Sequence, residues 1–366
     1  MVAPAALEQM DPQGLAAVEA LFNKQIADGL HPGACLAAYR HGSLVLDLWG
    51  GMADADAGKP VSADTMFVMY SNSKALTAGC IYILWERGLL QWDDPVARYW
   101  PNFAQNGKEG ITIRHILTHR GGIPETPPEI VANGWGDWDL VVSAMEGVTP
   151  TTEPGAVIAY QQSTFGWVLG ELVRRIDGRP IGQFLKEEIT DPLSMHDVYM
   201  GLPADQEDRV SRIHAMEDAE RVQVVDTFNK PEVHQAVNPA AGGIGTARGL
   251  VRYYAMLGCG GILDDVRILK PETVREVTKQ QAEGHDHTFN VYVHRSLGLW
   301  IADSRMGSSG GDPARTFGHG GIGTSVGWAD PDVGLAVAYI TNGLRANATH
   351  LPRMTVISQA VRDACL

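Results

Sequence analysis

Residues 70–88 read Tyr-Ser-Asn-Ser-Lys-Ala-Leu-Thr-Ala-Gly-Cys-Ile-Tyr-Ile-Leu-Trp-Glu-Arg-Gly. Helix formers carrying an apolar stripe that includes Leu76, Ile83 and Leu84 predict a long helix from about Ser71 to Arg87, stopped by Gly88. Ser71 and Lys74 are three apart, so one turn places them on the same face. A serine hydroxyl is a weak nucleophile and needs a base within hydrogen-bond reach. Lysine serves if burial or nearby cations deprotonate it, and a helix N-terminus favours negative charge developing on the serine. The spacing alone leaves a second reading open, an N-cap serine with an exposed lysine. Ser73 is also a candidate cap, but it has no lysine in register.

Working outward, Asp11-Pro12 supplies an N-cap and an N1 proline for a first helix. Its apolar positions are Leu15, Val18, Leu21, Phe22 and Ile26, and it stops at Gly29. Strand-like runs Ala34–Tyr39 and Leu44–Trp49, joined through His41-Gly42, read as a β-hairpin. From about 90 to 240 the pattern is of short helices broken by Pro and Gly. Strand signals return around 290–301, 325–329 and 335–341, followed by a last helix over about 351–364. Strands at both ends and helices between predict an α+β fold, an antiparallel sheet flanked by helices with a mainly helical insertion. The expected division is a sheet domain from 1–75 and 240–366, a helical domain from 76–239, and an active site between them.

The 366-residue chain has a net charge of −14 and no offsetting Lys/Arg run, which argues against nucleic acid as a partner. No apolar run approaches the roughly 20 residues of a membrane span. The opening Met-Val-Ala-Pro-Ala-Ala-Leu-Glu has neither a basic nor an apolar leader region, so the expected location is the cytoplasm. Cys35, Cys80, Cys259 and Cys365 are scattered and read as unpaired thiols.

Two further stretches carry chemistry. Tyr160-Gln161-Gln162-Ser163 precedes a helix beginning near Phe165. A phenol on such a lead-in can reach a cleft, where a tyrosinate beside an ammonium is a plausible base. Gln162 is a candidate to orient a substrate carbonyl. Phe317-Gly-His319-Gly320-Gly321-Ile322-Gly323 is glycine-rich, so a ligand can lie against its backbone, and one of its N–H groups can pair with that of Ser71 as an oxyanion hole. The other readings are a packed tyrosine and a hairpin loop.

The order and content of these three motifs resemble the penicillin-recognising serine hydrolases, and within them the class C β-lactamase-like esterases, the family VIII carboxylesterases. Asp93-Asp-Pro-Val96, residues 111–124 (Ile-Thr-Ile-Arg-His-Ile-Leu-Thr-His-Arg-Gly-Gly-Ile-Pro), Ala240–Arg248, Gly260–Asp264 and Pro271-Glu-Thr-Val274 also fit, so the resemblance spans about residues 20–345. It implies a β-lactamase/transpeptidase-like fold, Ser71 as nucleophile, Lys74 and Tyr160 as its base pair, and an oxyanion hole from the N–H groups of Ser71 and Ile322. It implies a small-molecule ester as substrate and neither metal nor organic cofactor. β-Lactamase, D-amino-acid peptidase and acyltransferase chemistry use the same residues and remain alternatives. Two departures bear on the choice. The usual Lys-Thr-Gly is His319-Gly320-Gly321, which weakens a carboxylate anchor because histidine, with a reference pKa of about 6.5, is mostly neutral. The usual Tyr-x-Asn is Tyr160-Gln161-Gln162. The first shifts the expectation from β-lactams towards esters; the second places a longer side chain at the family's third position. The sequence is silent on oligomeric state.

Other patterns are weaker. Gly323-Thr-Ser325-Val-Gly327 matches G-x-S-x-G, but that motif needs a helix after the serine and a turn follows here. His115 and His119 stand at i, i+4 on an expected helix without a third ligand. Asn347-Ala-Thr349 is a glycosylation sequon without secretory context. Trp135 and Trp138, in a Gly/Asp-rich stretch, are candidates to line an apolar pocket.

Overall fold

The computed structural model describes residues 10–130, 135–217, 222–308 and 315–366. Helix α1 is Pro12–Ala27, and the Asp11 carboxylate caps it through the N–H groups of Gln13 and Gly14. The hairpin follows as β1 (Gly33–Arg40) and β2 (Ser43–Asp54), then β3 (Lys59–Pro60) and β4 (Phe67–Tyr70). Helix α2 spans Asn72–Glu86 and α3 spans Thr164–Asp177. Between α2 and α3 the described residues include the short helices Ile113–Leu117 and Trp138–Gly147. Strands β5 (Val198–Met200) and β6 (Gly243–Gly245) and helix α4 (Ala247–Gly258) come next. The chain closes with β7 (Ala282–Asp286), β8 (Val291–Arg295), β9 (Trp300–Ile301), β10 (Phe317–Gly321), β11 (Ser325–Asp330), β12 (Leu335–Thr341) and α5 (Asn347–Asp363).

The main sheet has nine strands in the order β7-β8-β9-β10-β11-β12-β1-β2-β3, and every neighbouring pair is antiparallel. Strands from the two ends of the chain therefore meet where β1 pairs with β12, from Ala34↔Thr341 to Arg40↔Leu335. Period-2 alternation explains why both strands are buried throughout. Cys35, Ala37 and Tyr39, with Ala336, Ala338 and Ile340, enter one core with α2, α3 and α4. Ala34, Leu36 and Ala38, with Leu335, Val337 and Tyr339, enter a second core with Phe22 of α1 and Ile357 of α5. The four cysteines are unpaired.

Helix α2 lies in the larger core, and its residues from Asn72 to Leu84 are all buried. A helix apolar nearly all round is a core helix, so the polar residues at its start, Asn72, Ser73, Lys74 and Thr77, stand out. Among the described residues no helix is long and apolar enough to cross a membrane.

Candidate active site

Strand β4 delivers the chain to α2 through a strained corner. Tyr70 has φ of +48°, left-handed space that a bulky L-residue adopts only when its surroundings enforce it. The enforcement is visible on both sides. Strand β4 pairs with β6, and the Ser73 hydroxyl donates to Tyr70 O at 2.5 Å while accepting from Gly243 N at 2.8 Å. Ser71 then sits at the N-cap in helical conformation, and its hydroxyl caps nothing. Of the two sequence readings, capping is therefore not the role of this side chain.

Lys74 is fully buried. Its Nζ lies 3.2 Å from Ser71 Oγ, and it donates to Gln162 O at 2.7 Å and Ala240 O at 3.0 Å. Among the described residues no carboxylate neutralises it, and burial pushes its pKa well below the usual lysine range. Tyr160 lies before α3, on the lead-in the sequence predicts, and its hydroxyl bonds to Ser71. Burial raises its phenol, while that bond and the charges of Arg295 and Arg305 act in the opposite sense. Lys74 Nζ is 4.9 Å from the Tyr160 ring centroid. The three candidates thus converge on one point.

A cavity of about 760 Å³ opens over Ser71. Trp135, Phe228, Phe289, Val291, Trp300 and Ile322 supply its apolar wall, and Gln162, Gly320 and Gly321 also line it. Glycine is required at 321, where a Cβ would lie 2.5 Å from Met69 O and 3.1 Å from Tyr70 Cβ. The glycine-rich stretch is strand β10 over 317–321 rather than a hairpin loop, and its end runs past Ser71.

Several sequence expectations are corrected here. His319 does not line the cavity. It is buried behind Trp300, ring centroids 4.3 Å apart, with Nδ1 donating to Gly320 O at 2.8 Å. Burial pushes it well below the ordinary histidine value, so it is neutral, but as a wall brace rather than a substrate contact. Trp138 is not at the cavity either: its indole N–H donates to Glu171 at 2.8 Å and its ring packs against Gly170. Trp135 is at the cavity, packed on Phe228. The neighbouring Asn133 and Gly134 lie outside the described residues. His115 and His119 do not share a helix face, because that helix ends at Leu117 and His119 has φ of +58°. Among the described residues no group of three or more His, Cys, Asp or Glu converges. Ser325 opens β11 with strand on both sides, accepts from Asn72 Nδ2 at 2.9 Å and donates to Met69 O at 3.1 Å, a buried brace under the Ser71 corner.

Arg295 and Arg305 line the cavity as well, and no sequence motif marks them. Arg305 grips Asp303 through two nitrogens, at 2.6 and 2.8 Å, and lies 4.0 Å over the Trp300 ring. A Cβ on Gly320 would lie 2.7 Å from Arg305 Nη1, so the glycine makes room for the guanidinium.

Fold and site together define a β-lactamase/transpeptidase-like protein, with a large antiparallel sheet, a buried helix opening on Ser-x-x-Lys and a glycine strand beside it. The comparisons agree. The family model described as Beta-lactamase matches residues 18–362, and the chain belongs to that family. It is 32% identical over 345 residues to the esterase/beta-lactamase LipL of Mycobacterium tuberculosis, covering 85% of this chain and 77% of that one. Among solved structures, a family VIII carboxylesterase superposes with a TM-score of 0.87 at 29% identity, over 97% of this chain and 98% of the other. A penicillin-binding protein homologue from Caulobacter crescentus gives 0.86 at 32% identity, with the same coverage.

Proposed function

We propose that the protein is a serine carboxylesterase working through an acyl-enzyme, with Ser71 as nucleophile and Lys74 and Tyr160 as its proton carriers. The observation that carries this reading is the set of partners around Lys74 Nζ: two carbonyl oxygens and the Ser71 hydroxyl, in a buried site. A neutral amine has two N–H bonds and one lone pair. The carbonyls of Gln162 and Ala240 take the two N–H bonds, and the lone pair is left facing Ser71. Burial favours this neutral form.

Ser71 Oγ then attacks the ester carbonyl as its proton moves to Lys74. The N–H groups of Ser71 and Ile322 receive the oxyanion, where preorganised donors act without reorganising. The alcohol departs with a proton delivered through the Tyr160 hydroxyl, and water releases the acid by the reverse relay. The same reading takes 1–75 and 240–366 as the sheet unit, 76–239 as the helical one, and the site as their boundary.

The apolar wall around Ser71 supports neutral esters, as do the names of the esterase relatives. One observation favours β-lactam hydrolysis instead: Arg305 places a guanidinium beside Gly320, where it could meet a substrate carboxylate. Asp303 already offsets that charge, which is why esters are preferred here. A substrate panel decides. A short-chain aryl ester is expected to exceed a cephalosporin and a D-alanyl amide by about a hundredfold in kcat/KM, with the acyl adduct seen by intact mass. Faster cephalosporin turnover would make the protein a β-lactamase.

A further inference from the structure

Tyr160 is held by a buried ion pair outside the three motifs. The Asp286 carboxylate is fully buried at the end of β7. Its Oδ1 accepts from the backbone N–H of Tyr160 at 3.2 Å, Thr288 at 3.0 Å and Phe289 at 3.3 Å. Its Oδ2 accepts from Arg295 Nη2 at 3.0 Å. The Thr288 hydroxyl donates to Tyr160 O at 3.2 Å, and the neighbouring Ile158 bridges to Asp286. Both backbone polar groups of Tyr160 are thus tied to the β7–β8 turn. The Arg295 guanidinium stands 5.9 Å from the Tyr160 ring centroid and 5.2 Å from that of Trp300. Arg295 is itself buried, and its Nε has no hydrogen-bond partner among the described residues.

We infer that Arg295 and Asp286 are positioning residues for Tyr160: the pair fixes its loop, and the guanidinium supplies the positive charge against which the Ser71–Lys74–Tyr160 site gives up its proton. The inference rests on Tyr160 belonging to the proton relay. Other groups face the same ring. Lys74 comes from α2, His119 lies beyond the short helix 113–117 with its ring 4.4 Å away, and His319 on β10 is 6.3 Å away. Arg305 acts from the turn 304–306 and carries Asp303 with it. Burial pushes both histidines well below their usual value, so they add no charge near neutral pH. Arg305 is held by a two-nitrogen carboxylate grip, whereas Arg295 meets its carboxylate through one nitrogen. That leaves Arg295 as the less compensated cation beside the phenol.

Its effect has one sign whichever of Lys74 and Tyr160 holds the proton, because a nearby cation disfavours protonation of both. The apparent pKa of the acid limb belongs to the coupled pair. Removing the cation raises it and removing the anion lowers it, each by about one pH unit for a charge at this range.

The test is the pH profile of kcat/KM for phenyl acetate. Arg295→Met is expected to move the acid limb up by about one unit and Asp286→Asn to move it down, while Arg295→Lys leaves it near the wild-type position. Asn at 286 keeps an acceptor for the three N–H groups, so that profile decides the matter if Arg295→Met does not fold. Lower kcat/KM with an unmoved limb in Asp286→Asn, and in Arg295→Met where it folds, would make the pair a structural brace and overturn the inference. Full activity in Tyr160→Phe would overturn it at its premise, a result the Arg295 and Asp286 profiles do not mimic.

Discussion

Lys74→Met is expected to lower kcat/KM for an aryl ester by about three to four orders of magnitude, a loss of roughly 4–5 kcal/mol of transition-state stabilisation. Methionine fills the volume of the lysine stem without opening a large cavity, so the change removes chemistry more than packing. It removes the group that receives the Ser71 proton, and burial, which raises the Tyr160 phenol, leaves that partner a poor substitute. His119 and His319 are near, but each is turned to a neighbour: His119 Nδ1 accepts from Gln161 N, and His319 Nδ1 donates to Gly320 O. The carbonyls of Gln162 and Ala240 also lose a donor, at a cost of about 1–3 kcal/mol each in stability if water does not enter. The check is kcat/KM measured beside a thermal melt. A folded Lys74→Met variant with activity within tenfold of wild type would remove Lys74 from the relay.

Tyr160→Phe is expected to cost about two to three orders of magnitude in kcat, with a smaller change in KM. The ring stays, and with it the packing against His119, Phe289 and Trp300. Only the hydroxyl goes, so the fold is kept and the loss reports on proton delivery to the leaving alcohol. The loss is therefore expected to shrink with leaving-group pKa: large for an alkyl ester, small for a nitrophenyl ester that needs no acid. An equal loss for both esters would assign the hydroxyl to orientation of Ser71 instead.

Much of this was legible in the sequence because it is local. The Ser71–Lys74 pair follows from helix geometry, α1 from its cap and period, and the β1–β2 hairpin from alternation around His41-Gly42. Whether the Ser71 hydroxyl capped the helix was not legible, because that turns on the strained φ of Tyr70, which β6 and Ser73 enforce from distant segments. His319 was legible as neutral but misplaced, since its burial depends on Trp300 crossing over it from another strand. The two tryptophans at 135 and 138 are three residues apart yet part company. Asp137 caps a helix that begins at Trp138 and turns that ring towards Gly170. The Arg295–Asp286 pair left no pattern at all. The register sets Arg295 opposite Ala282 and Asp286 opposite Val291, so the ion pair runs along the hairpin rather than across it.

The central claim is that Ser71, and not the G-x-S-x-G serine, carries the acyl group. Intact-mass analysis after treatment with an active-site-directed phosphonate tests it most directly. The expected result is one adduct on the wild-type chain, none on Ser71→Ala, and an adduct retained on Ser325→Ala. Full labelling of Ser71→Ala together with its loss in Ser325→Ala would contradict the account.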